Sequence, residues 1–139
     1  MLLGVDHLVI GVGDLGAAIR DYAALGFSVV PGGRHANGVM GLAGVTVAAT
    51  DVREARGWYE AVLGRPGETL RNDDLDADGV RFTVGPHMLE FLQPRHGRGP
   101  IGTWVDSRGP GPYAARFTGG APGAALDPRL SHGARLSVG

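Results

Sequence analysis

Glu90 stands in the run His87-Met88-Leu89-Glu90-Phe91-Leu92-Gln93. In a strand, its side chain shares a face with Met88 and Leu92, while Leu89 and Phe91 take the other face. A carboxylate between two apolar neighbours is costly to bury unless it is protonated, paired or bound to a metal. It is therefore either a rim carboxylate paired with an arginine or a working acid, base or ligand. His7, in Val5-Asp6-His7-Leu8-Val9-Ile10, falls by the same parity on the face opposite Leu8 and Ile10. Alone it reads as a satisfied core histidine. Together, an imidazole and a carboxylate supply two ligands of the kind that suit Zn, Mn, Fe or Ni. A catalytic metal usually takes three from protein, so the pair is one short.

The other candidates are weaker. His35 and His87 flank turns and read as solvent exposed. His132 opens the last expected strand and reads as a turn or packing residue. Tyr113, Arg116 and Arg135 either line a cavity or cap its rim. Trp104 lies in a Gly/Pro-rich stretch, as a lid or a local plug. Trp58 reads as core. Gly11-Val12-Gly13 lacks the third glycine and the downstream acid of a dinucleotide site. The chain has no cysteine, which removes disulfides, thiolate ligands and Cys nucleophiles together.

An internal repeat positions these residues. Val5 to Ala17 and Leu42 to Glu54 are two copies of one phrase; Asp14 falls on Asp51, Leu8 on Val45 and Ile10 on Val47. Each copy predicts a strand and then an amphipathic helix, ending at Leu25-Gly26 and Leu63-Gly64. Val5–Val12 alternates as a strand, with Asp14 as N-cap and Leu15, Ala18, Ile19, Tyr22 and Leu25 as the helix stripe. Phe27–Val30 is a short strand. Val45–Ala49 is the next, followed by Asp51 as cap and a stripe of Val52, Ala55, Trp58, Tyr59 and Val62. Glu68–Arg71 is a further strand. Asn72-Asp73-Asp74 and Asp76–Gly79 are turn material. Val80–Val84 and Met88–Gln93 form a hairpin around Gly85-Pro86. Residues 94–112 and Gly119–Pro128 read as loop, and Tyr113–Thr118 and Ser131–Val138 as strands.

The middle, 44–93, thus spells one complete βαβββ module. The first copy supplies only strand, helix and strand. Residues 1–33 and 110–139 are therefore expected to complete one another as a composite module around it, within a single domain spanning 1–139. Domain swapping would be the alternative. The formal charge of −1 comes without a run of like charges, so no nucleic-acid partner is expected. No basic region with a long apolar run opens the chain, so neither a signal peptide nor a membrane span is expected, and the cytoplasm is the expected compartment.

The pieces resemble the vicinal oxygen chelate superfamily, which includes glyoxalases, extradiol dioxygenases and bleomycin-binding proteins. The carriers are Asp6-His7-Leu8-Val9-Ile10 leading to Asp14-Leu15, the second start at Val45–Asp51, Met88-Leu89-Glu90-Phe91-Leu92, and Asp127-Pro128 to His132-Gly133-Ala134-Arg135-Leu136. The resemblance implies an α+β fold of paired βαβββ modules whose sheets curl into an open barrel-like cleft. It implies metal ligands on the first and last strands of each module. Position by position these fall on His7, Gly44, Glu90 and, approximately, Ser137. Two of the four depart from ligand chemistry, since glycine has no side chain and serine ligates poorly.

Three functions follow as expectations. One is a lyase, isomerase or dioxygenase using a divalent metal on His7 and Glu90, which would then face one cavity. Another is metal-free binding of a small antibiotic-like molecule, walled by Met88, Tyr113 and Trp104 with Arg116 and Arg135 at hand. The third is a metal-free cyclase or isomerase with Glu90 as the catalytic acid or base. In each the partner is a small molecule, and open strand edges predict a homodimer.

Overall fold

Two aspartates start two helices. Asp14 accepts a hydrogen bond from the Ala17 amide at 2.9 Å, and Asp51 from those of Arg53 and Glu54 at 2.8 and 3.2 Å. Each satisfies amides that a helix N-terminus leaves without partners. The helices are α1 (Leu15–Ala24) and α2 (Val52–Leu63), as the repeat predicts. Gly64 closes α2 in the left-handed conformation, φ 66°, where a Cβ would be strained. The computed structural model describes residues 4, 8–27, 29, 41–119 and 124–139.

Among these residues the remaining elements are β1 (Gly41–Ala48), β2 (Glu68–Asn72), β3 (Ala77–Val84), β4 (His87–Pro94), α3 (Pro100–Arg108), β5 (Gly111–Thr118), β6 (Ala124–Ala125) and β7 (Arg135–Val138). The chain divides into two units. One is built on Gly44–Tyr113, and the other combines Ala114–Gly139 with the described residues of 6–43.

In the first unit the strand order is β2-β3-β4-β1, with β1 parallel to β4 and the other pairings antiparallel. Helix α2 makes the crossover that a parallel pair requires. Its inner face packs on one side of these strands. Val80, Phe82, Val84 and Phe91 form the buried cluster, and Val47, Val52, Ala55, Tyr59, Leu63 and Leu89 close around it. The Tyr59 ring lies 4.4 Å from Phe91 and 5.9 Å from Phe82. Burying each phenylalanine contributes about 1.5–3 kcal/mol. Gln93 of β4 accepts a hydrogen bond from the Val52 amide at 2.9 Å, tying the helix start to the sheet.

In the second unit β5 runs parallel to β7, and β6 pairs antiparallel on the far side of β7. Ala115, Leu136 and Val138 are buried, and the Phe27 ring meets Phe117 edge-on at 5.1 Å. Helix α1 is fastened to the turn before β7. The Tyr22 hydroxyl donates to the Ser131 carbonyl at 3.0 Å, Asp21 pairs with His132 Nε2 at 3.1 Å, and the His132 ring stacks on Tyr22. Burial raises the Tyr22 phenol above its ordinary value.

Several expectations change. Leu8–Val12 carries no regular structure, because alternation makes a strand only where a partner strand accepts it; residues 5–7 of that expected strand lie outside the described set. Of Phe27–Val30, only Phe27 and Val29 are described, neither as strand. The 94–112 stretch holds helix α3, with Pro100 in its first turn and Ile101 fully buried. Proline suits the first turn, and one anchored isoleucine with tertiary packing outweighs a weak helical pattern. Strand β3 begins at Ala77 rather than Val80, leaving the turn to Asp73–Asp76. Asn72 Oδ1 takes the Leu75 amide there at 3.0 Å. Strand β7 begins at Arg135 rather than Ser131, because Ser131–Gly133 is held in a turn. Trp58 is 63% exposed and Val62 48%. The inner stripe of α2 is Val52, Ala55 and Tyr59, as expected, with Leu63 in place of Trp58 and Val62.

Candidate functional site

Thr46, Arg81 and Glu90 of the first unit share the face that α2 leaves. Val80 and Phe82 are buried, so Arg81 between them points the other way; Leu89 and Phe91 do the same for Glu90, and Val45 and Val47 for Thr46. Register then sets them side by side. Glu90 is directly opposite Thr46 on β1 and Arg81 on β3. Arg81 donates through Nε at 2.8 Å and Nη2 at 2.7 Å to Glu90 Oε1, and Thr46 Oγ1 donates to Oε2 at 3.2 Å. Glu68 of β2 is opposite Arg81 in the same row. The Glu90 side chain keeps 18% of its exposure and Arg81 39%, so the pair is sheltered but open to a solute. Such charge-assisted bonds are stronger than neutral ones, though this exposure discounts the attraction.

Met88 and Leu92 share this face with Glu90, as expected. Leu92 is fully buried and Met88 half-buried. Gly44 is opposite Met88, and a Cβ there would stand 2.7 Å from the Met88 carbonyl oxygen. The close approach of β1 to β4 thus requires glycine at a position where the resemblance implies a ligand.

His7 and His35 lie outside the described residues, so the pairing of His7 with Glu90 is not part of this geometry. Among the described residues, no group of three His, Cys, Asp or Glu side chains could hold a metal ion. Both oxygens of Glu90 already accept hydrogen bonds, and a guanidinium 2.7 Å from Oε1 opposes a cation on the same atom. This donor set does not fit a divalent ion.

Trp104 sits on α3 rather than in a loop. Its ring packs edge-on against Tyr113 at 5.3 Å, and the Arg108 guanidinium lies 4.6 Å above it. Tyr113 is buried and alternates with Arg116, so the two lie on opposite faces of β5. Arg116 and Arg135 belong to the second unit. His87, expected to be exposed, is half-buried, and His132 has the turn and packing role expected of it. Arg81 and Thr46 were missed. The signal for Arg81 was the strict alternation Val80-Arg81-Phe82-Thr83-Val84, which forces an arginine onto the face of Glu90 once the hairpin is recognised.

The comparisons bear on the fold. A family model described as a glyoxalase-like domain matches residues 5–38. A methylmalonyl-CoA epimerase in complex with methylmalonyl-CoA and NH4+ superposes with a TM-score of 0.63 at 16% identity, over 72% of this chain and 93% of that one. The chain shares the fold of this epimerase. A Streptomyces coelicolor methylmalonyl-CoA epimerase variant, in complex with 2-nitronate-propionyl-CoA, gives a TM-score of 0.62 at 16% identity, covering 70% of this chain and 92% of that one. The Mycobacterium tuberculosis methylmalonyl-CoA epimerase gives 0.60 at 18%, covering 76% and 93%. No curated protein matches the sequence. The fold is α+β, and among the described residues no helix is long and apolar enough to cross a membrane.

Proposed function

We propose that the protein binds a small oxygen-bearing molecule against the Thr46–Glu90–Arg81 row and that Glu90 moves a proton on it without a metal. The carrying observation is a carboxylate fixed at both oxygens, by Arg81 and by Thr46, yet partly open. Proton transfer is efficient when the acceptor is held in place before the substrate arrives. A C–H next to a carbonyl is acidic enough for a carboxylate base, and such a carbon is inverted when its proton leaves to give a planar enolate and a proton returns on the opposite face. The fold likeness to methylmalonyl-CoA epimerases favours this class of chemistry.

The test is deuterium uptake from heavy water into methylmalonyl-CoA and simple 2-substituted acyl thioesters, followed by proton NMR. Exchange by the wild type that falls about 10²-fold or more in Glu90→Gln supports the assignment. Exchange equal in both sinks it. Binding with no exchange favours sequestration, in which Met88 and the Trp104–Tyr113 pair supply the adaptable apolar contacts. Stoichiometric metal in protein purified without a histidine tag, lost in both His7→Ala and Glu90→Gln, would replace this reading with the metal-dependent one.

The proposal includes a homodimer in the cytoplasm and a composite module of 1–33 with 110–139. The fastening of α1 to Ser131 and His132 supports the composite module. Light scattering that finds only a 14.4 kDa species at micromolar concentration removes the dimer.

A further inference from the structure

The second unit has its own polar face, and its charge is opposite to that of Glu90. In β5, Tyr113 and Ala115 are buried, and Phe117 meets the Phe27 ring; Ala114 and Arg116 point away from them. In β7, Leu136 and Val138 are buried, while Arg135 and Ser137 take the other side. The strands are parallel, with Ala114 opposite Arg135 and Arg116 opposite Ser137. Partners in a parallel pair point to the same face. Arg116, Arg135 and Ser137 therefore share one face, the one away from Phe27. The arginines are diagonal neighbours, about 8 Å apart at their Cα atoms from strand rise and spacing. Their side chains are long enough to converge on a single group. Both are exposed, and Ala125 of β6, opposite Ser137, adds no bulk beside them.

The parallel strand pairs of the two units carry different chemistry on the face away from the helix-side core. In the first unit it is Glu90 beside Thr46; in the second it is Arg116 beside Ser137, with Arg135 on the diagonal. An arginine fork matches the planar, two-oxygen geometry of a carboxylate or phosphate, and a serine hydroxyl can add a further donor. We propose that Arg116, Arg135 and Ser137 form an oxyanion-binding site. It goes beyond the proton-transfer reading and does not depend on it. Both arginines already make an interaction within the chain, so a ligand competes with that interaction and binding is salt-sensitive.

The test is a titration of the full-length protein at low ionic strength with inorganic phosphate and, in parallel, malonate, followed by amide chemical shifts. Saturable shifts concentrated on β5 and β7 are expected, with about tenfold weaker binding in Arg116→Gln or Arg135→Gln, as loss of a charge-assisted bond implies. Arg129→Gln removes an equal charge from an arginine in the same unit that is paired with Asp127, and it should leave the affinity within about twofold. Arg116→Lys keeps the charge without the fork and should fall between wild type and Arg116→Gln. Preference for phosphate or for malonate identifies the source of the oxyanion. No saturation by either below about 10 mM, a free energy under roughly 3 kcal/mol, overturns the site. So does an Arg129→Gln loss equal to that of Arg116→Gln. Circular dichroism of each variant shows that folding is not the cause.

Discussion

The two units solve the same local problem with different lengths of chain. Each sets an opening strand parallel to a closing one, β1 with β4 and β5 with β7. The first unit does so with consecutive residues: α2 makes the crossover and returns through β2 and β3. The second has two residues of β6 before β7, and its helix, α1, comes from the opposite end of the sequence. A continuous module buries a four-ring aromatic cluster, Trp58 at its rim and Tyr59, Phe82 and Phe91 inside. Among its described residues the discontinuous one links Phe117, Phe27, Tyr22 and His132 ring to ring and adds two polar contacts from α1 to a turn. Its rings Tyr22, Phe27 and Phe117 are half-buried, whereas Phe82 and Phe91 are buried. It should therefore open first.

The largest expected effect tests that difference directly. Phe91→Ala removes a ring that is 5% exposed and touches Tyr59 and Phe82, and should cost about 3–5 kcal/mol. Phe117→Ala removes a half-buried ring and should cost about half as much or less. Urea unfolding followed by circular dichroism measures both. Equal losses would mean that the second unit is as well packed as the first. Hydrogen exchange sharpens the point, because amides of β3 and β4 should outlast those of β5 and β7.

Gly44→Ala is the next effect in size. The added Cβ would meet backbone and the Met88 side chain rather than a yielding chain end, and overpacking of this kind costs about 1–3 kcal/mol. If Gly44→Ala is neutral, β1 has room for a side chain and the metal set implied by the family resemblance regains a position. Tyr22→Phe leaves the Ser131 carbonyl without its donor and should cost about 0.5–1.5 kcal/mol, with the exchange of α1 amides accelerated before those of α2.

This contrast also accounts for what could be read from the sequence. Asp14 and Asp51 as caps, Gly64 as a stop and the Val80–Gln93 hairpin were legible because each is a short-range choice. The face of Glu90 was legible because period-two alternation brackets it with Leu89 and Phe91. Its partners were not, because Arg81 and Thr46 meet it through register, which no single strand encodes. Helix α3 was hidden because its support is the burial of Ile101, a tertiary fact in a stretch of Gly, Thr and Ser. Tyr59 was legible as an inner residue, but Trp58 beside it was not legible as exposed, since an apolar stripe drawn from composition takes in both rings while the helix turns only one of them inward.

The smallest effect is electrostatic and divides the units once more. Each has, among its described residues, an aspartate held below its ordinary carboxylate value by arginine. For Asp73 the causes are hydrogen bonds from Arg71 and then Arg95; for Asp127 they are the side chain and then the backbone amide of Arg129. A carboxyl lowered by folding stabilises the folded state above its unfolded value, near 3.8, and that contribution is lost as pH falls through the lower folded value. Asp73 is exposed and Asp127 still partly so, and solvent screening keeps the loss small. The sharper readout is site-specific carboxyl NMR. In Arg71→Gln, Asp73 keeps Arg95 at 2.8 Å and should rise only part of the way. In Arg129→Gln, Asp127 keeps just the backbone amide at 2.9 Å and should rise nearly to its ordinary value. A full return of Asp73 would show that Arg95 is committed to Asp76 and Asp78 instead, and that the first unit is no better cross-linked at this edge than the second.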